Sequence, residues 1–168
     1  MSDAQTPNSG ERNADAVTKV AELIKGQRTC MITTRSSKGL VSRPMTCLDR
    51  EFDGTLWFLA LADSALATEL RADASTNVAF VEKSSWVSLR GNGYAQHDPE
   101  RAKELWSGFA KDYFQSEPED PKVAVVRVDV EGAEYWDSPG AVGSLFDIVK
   151  ARVTGDRPDL GTSGTAEL

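Results

Sequence analysis

Residues 28–48 read Arg28-Thr-Cys-Met-Ile-Thr-Thr-Arg-Ser-Ser-Lys-Gly-Leu-Val-Ser-Arg-Pro-Met-Thr-Cys-Leu48, or RTCMITTRSSKGLVSRPMTCL. Two runs rich in β-forming residues flank Ser-Ser-Lys-Gly, whose serines and Gly39 mark a turn. So short a connection permits only an antiparallel pair, since a parallel crossover needs a dozen residues or more. Within the second run, Val41-Ser-Arg-Pro-Met45 breaks the pattern. Proline cannot donate to a ladder and belongs at an edge, a rim or a bulge. An arginine is costly to bury unless an anion pairs with it.

The same grammar extends in both directions. Upstream, Ala16, Val17, Val20, Ala21, Leu23 and Ile24 fall on one helical face, with Asn13 as N-cap and Gly26 as C-cap. Residues 1–12 are polar and read as a disordered arm. Downstream, REFDG (50–54) is a second turn and TLWFLAL (55–61) a third strand. ADSALATELRAD (62–73) is a short helix capped by Asp63 or Ser64. TNVAFVEK (76–83) is a strand, and SWVSLRGNGYAQH (85–97) a longer one whose two glycines predict a bulge or bend. Residues 98–114 read as one helix, with Asp98 as N-cap and Pro99 in its first position. KVAVVRVDVEGAEYWD (122–137) reads as two strands hinged near Glu131-Gly132. A last helix is predicted over 140–153, and 157–168 reads as a flexible tail. The prediction is a mainly β domain over 13–156, a small barrel of about six antiparallel strands with peripheral helices.

Composition narrows the function. The chain has 168 residues, 40% of them hydrophobic, and a net charge of −7; the pI is about 4.8. This acidity argues against nucleic acid and anionic membrane as partners. No apolar run approaches the roughly 20 residues that span a bilayer. The first 15 residues lack an apolar signal segment, so a soluble cytoplasmic protein is expected. Cys30 and Cys47 sit in apolar strands and read as reduced core residues. His97, the single histidine, reads as a surface residue at a strand end. No metal site and no catalytic constellation is expected.

Three stretches offer ligand chemistry. Arg43, if it points out of the barrel, can hold a phosphate through two parallel hydrogen bonds. It reads equally well as a surface arginine on an edge strand that Pro44 protects from aggregation. Ser64 stands where a strand runs into a helix N-terminus, a natural anion site and equally an ordinary cap. Trp86 and Trp136 lie near strand ends, where indoles cover a core or wall a planar ring.

In this order, TCMITTR, LVSRPM, LWFLALADS, TNVAFV, WVSLRGNGYAQHDPERAKELW and AEYWDSP resemble the pyridoxamine 5′-phosphate oxidase-like flavin-binding split barrels. The bacterial general stress protein branch is the nearer match, and the resemblance covers roughly residues 14–156. It implies a split-barrel homodimer with FMN in the cleft between subunits. Arg43 and Ser64 would hold the phosphate. Pro44 and Met45 would run beside the isoalloxazine ring, and Leu59 and Ala60 beside the ribityl chain. Trp86 would reach the partner's flavin, and Trp136 would stand near the ring. Family members commonly carry a basic residue, usually lysine, one or two places after that serine, and this chain has Ala65 and Leu66. A histidine-containing substrate motif near the C-terminus is also missing from YWDSPGAVGSLFDIV, so vitamin B6 oxidation is not expected. The implied activity is a stress-related flavin oxidoreductase using FMN, with FAD as an alternative. A flavin-holding module without turnover, a deazaflavin or haem protein, and a structural dimer with an empty cleft are the other readings.

Overall fold

The computed structural model describes residues 9–48, 51–82, 85–137 and 162–167. The turn at Ser37–Lys38 zips Thr29–Ser36 (β1) to Gly39–Thr46 (β2) in unbroken antiparallel register, from Ser36↔Gly39 to Thr29↔Thr46. Gly39 adopts φ 109°, a conformation that costs glycine little. The remaining elements are α1 (Ser9–Ile24), β3 (Thr55–Leu61), α2 (Ala65–Ala72), β4 (Ser75–Glu82), β5 (Ser85–Gln96), α3 (Pro99–Leu105), α4 (Gly108–Phe114), β6 (Val123–Asp137) and β7 (Thr162–Glu167).

The strands form one antiparallel sheet in the order β2-β1-β4-β5-β6-β3, which curls into a split barrel. β2 and β3 are the two ends of this path. They approach where the Leu48 N–H donates to the Trp57 carbonyl at 3.0 Å. VSRPM is thus an edge strand, which is where the proline belongs.

Alternation sorts the side chains. Cys30, Ile32, Leu56, Phe58, Val78, Phe80, Val87, Leu89, Val126 and Val128 fill the barrel, with Val20 and Ile24 of α1 over them. A second apolar layer lies outside, where Ala102, Leu105, Ala110 and Phe114 of α3 and α4 cover Leu59, Val123 and Val125. β3 is therefore covered on both faces, which explains why TLWFLAL is continuously apolar rather than alternating.

Several expectations change. α1 begins at Ser9, four residues before the anticipated cap at Asn13 and inside the segment read as a disordered arm. The helix expected over 98–114 is two helices. The Ser107 hydroxyl accepts from the Ala110 N–H and starts α4 afresh, a capping bond the chain prefers to a helical serine. Residues 122–137 give one strand rather than two. The feature near Glu131 is a bulge, because Arg90 faces Gly132 while Gly91 faces Val130. Thr162–Glu167, read as part of a flexible tail, is a strand paired with β6 from Asp137↔Thr162 to Gly132↔Glu167. Arg90 Nη2 holds it with bonds of 2.5 and 2.6 Å to the Glu167 carboxylate. The helix predicted over 140–153 lies outside the described residues, as does the arm before Ser9.

Cys30 and Cys47 are both buried thiols. Burial, with Cys47 nearby as the lesser cause, pushes the Cys30 thiol up to about 12. Since the thiolate is the nucleophile, the folded protein should resist Ellman's reagent at about pH 8, and unfolding should release both thiols. Rapid modification of a thiol in the native state would contradict this burial. Asp98 caps α3 as expected, accepting from the Arg101 N–H at 3.0 Å. His97 is exposed at the end of β5. Among the described residues there is no group of three metal-ligating side chains, and no helix is long and apolar enough to cross a membrane.

Candidate functional site

The split between β2 and β3 holds a cavity of about 420 Å³. β2 contributes Arg43 to Thr46, β3 contributes Leu59 to Leu61, and the start of α2 contributes Ser64 to Leu66. α4 closes another side with Phe109, Ala110, Tyr113 and Phe114. Six of the residues singled out in the sequence, Arg43, Pro44, Met45, Leu59, Ala60 and Ser64, thus converge on one cavity although they lie on three elements.

Each is placed by local rules. Pro44 faces Met31 on the outer face of β2, and Met45 faces Cys30 on the inner one. Ser64 is the N-cap of α2: its hydroxyl accepts from the Ala67 N–H at 3.2 Å. That leaves the hydroxyl proton for a ligand, beside the positive end of the helix. Asp63 is not the cap.

Arg43 departs from expectation. Its register partner is Ile32, so it points toward the interior rather than out of the barrel. Its side chain is 20% exposed and pairs with Glu69 of α2, which is 14% exposed, at 2.6 Å. The buried Thr34 hydroxyl donates to the same Glu69 oxygen at 2.5 Å and accepts from Arg43 Nη1 at 3.2 Å. The Thr34 hydrogen bond and, less strongly, Arg43 hold the Glu69 carboxyl below its ordinary value, against the opposing effect of burial. This closed triangle satisfies a threonine that is 0% exposed and explains why a cation is tolerated on the inner face.

Sequence reasoning missed Glu69 and Thr34. A signal was present: Glu69 lies three residues after the buried Leu66 and one before the buried Leu70, within the packed side of α2. The aromatic wall from α4 was missed as well. Phe109 and Tyr113 are 69% and 64% exposed, and their rings stack at 6.2 Å.

Trp86 and Trp136 do not line this cavity. They face each other directly across β5 and β6, with Val81 of β4 next in the same row. All three are exposed, Val81 to 63%, so they form an apolar ladder on the outer face of the sheet. α3 and α4 cover Val123 and Val125 on the outer face of β6.

The family model described as pyridoxamine 5′-phosphate oxidase like matches residues 15–159. The chain belongs to this family. It is similar to Protein bli-3 of Neurospora crassa, 27% identical over 153 residues that span 83% of this chain and 73% of that one. A candidate general stress protein 26 from Jannaschia sp. CCS1 superposes with a TM-score of 0.71 at 23% identity, over 93% of this chain and 99% of the other. The general stress FMN/FAD binding protein of Xanthomonas citri superposes with a TM-score of 0.66 at 24% identity, over 76% of this chain and 92% of that one. These structural likenesses speak for the fold.

Proposed function

We propose that this protein is an FMN-binding flavoprotein that holds the flavin in the β2–β3 cavity and works as a stress-related oxidoreductase in the cytoplasm. The observation that carries the reading is the convergence of Arg43, Pro44, Met45, Leu59, Ala60 and Ser64 on that cavity. The donor set suits the ligand. Apolar walls from Met45, Leu59 and Phe114 accept a planar ring, while Ser64 and the α2 N-terminus meet a phosphate. A bound flavin would supply hydride or electron transfer, and the chain would bind, orient and shield it from water.

A homodimer belongs to the same proposal. Trp86 and Trp136 form an exposed ladder away from the cavity of their own chain, so a second copy is the route by which either reaches a flavin. Isologous dimers are the commonest closed assembly. A sedimentation mass near 18.2 kDa at micromolar concentration would sink the shared site.

One observation favours a second reading, a flavin-holding module without turnover, with FMN or FAD as ligand. Where relatives carry lysine, Ala65 is exposed and bears no charge, and Leu66 is 3% exposed and packs in the core. The anion end is therefore short of a cation. The deciding experiment is a visible absorption spectrum of the purified protein followed by titration with FMN and FAD while flavin fluorescence is read. Saturable binding with reduction by NADH or NADPH supports the oxidoreductase, saturable binding without reduction by any donor supports the module, and no saturation with either flavin overturns both.

A further inference from the structure

We infer that Glu69 is a specificity-determining residue of the cavity: it cancels the charge of Arg43, and so sets how strongly the site distinguishes a phosphorylated flavin from one without phosphate. The inference rests on the proposed flavin site and goes beyond it, because Glu69 is not part of the cavity wall. Arg43 and Ser64 line the cavity, whereas Glu69 meets Arg43 Nη2 at 2.6 Å without lining it.

The geometry separates two effects of one carboxylate. Guanidinium has five N–H donors. One is directed at Glu69 and one at Thr34, which leaves three for a ligand in a side chain fixed by its partners. Glu69 thus positions the fork. It also places a full negative charge beside the only cation among the cavity residues. A phosphomonoester entering there finds a neutral ion pair, the Ser64 hydroxyl and the α2 helix end. Its second negative charge is opposed by the carboxylate at a range where the partly buried medium screens poorly. The neutral flavin ring is indifferent to that charge.

Glu69→Gln isolates the charge, since a glutamine oxygen can still accept from Thr34 and Arg43. The experiment titrates wild-type protein and E69Q with FMN and with riboflavin, following flavin fluorescence. The expected result is an FMN affinity about tenfold higher in E69Q, or about 1.4 kcal/mol, with riboflavin affinity changed less than about twofold. An unchanged or weaker FMN affinity in E69Q, with wild-type binding intact, overturns the inference alone. Failure of the wild type to bind FMN, FAD or riboflavin overturns the flavin reading and this inference with it. Should E69Q not fold, the wild type gives a second measurement. With Arg43 cancelled and the chain at −7, FMN affinity should be flat or rise between about 50 and about 500 mM salt. A fall of about fivefold or more over that range would reveal an uncancelled cation and overturn the inference.

Discussion

An Arg43→Ala chain is expected to bind FMN about 10- to 100-fold more weakly, through loss of a charge-assisted, bidentate-capable donor. It is also expected to lose about 1–3 kcal/mol of stability, because Glu69 and Thr34 remain part-buried without their cation. For a chain of this length each kcal/mol lowers Tm by about 2–4 °C. The same triangle predicts the acid limb. Glu69 has a folded pKa lowered from 4.5, first by the Thr34 hydrogen bond and then by Arg43. A carboxyl lowered on folding adds stability above its unfolded pKa, and that stability is lost as pH falls through the folded value. Tm should therefore fall more steeply below about pH 4.5 in wild-type protein than in Thr34→Val. Parallel acid limbs, or an Arg43→Ala protein as stable and as tight for FMN as wild type, would mean that the triangle carries neither role.

Gly91→Ala should destabilise the protein by about 2–4 kcal/mol without touching the cavity. A Cβ at Gly91 would fall on the carbonyl oxygen of Asp129 and crowd the Val130 Cα at 3.0 Å. The obstacle is backbone in the neighbouring strand and cannot rotate away. It sits beside the bulge where Glu131 is the extra residue. Relief requires β5 and β6 to separate where both strands are longest. Chemical denaturation would give the value. A loss under about 0.5 kcal/mol would show that the bulge yields.

The sequence was most legible where one face of an element is buried and the other wet. The β1–β2 hairpin and the caps at Ser64 and Asp98 rest on local rules that tertiary context leaves alone, whereas the pairing of β3 with β6 rather than with its chain neighbour β2 does not follow from the short turn between them. Arg43, Pro44 and Ser64 were legible for another reason, since a proline and a cation on a strand mark an edge and a serine before a helix marks an anion end, whereas Met45, Leu59 and Ala60 were reached only through the family resemblance. What stayed hidden was set by distant partners. Arg43 faces inward because Glu69, 26 residues away, meets it there. The long helix breaks because Ser107 finds a better bond at a new helix start. A strand at 162–167 has no amphipathic signal of its own; β6 supplies the ladder and Arg90 the anchor. Trp86 and Trp136 were foreseen as residues but not as a pair, since register across two strands fixes which indole meets which.

The seam between β2 and β3 has a mechanical meaning. Each of these strands is laddered on one side only, and the Leu48–Trp57 bond bridges the gap between them. Parting these two edges would leave the ladders of β1, β4, β5 and β6 intact. Widening there would break the Leu48–Trp57 bond and load the Arg43–Glu69 pair, while the paired strands keep their frame.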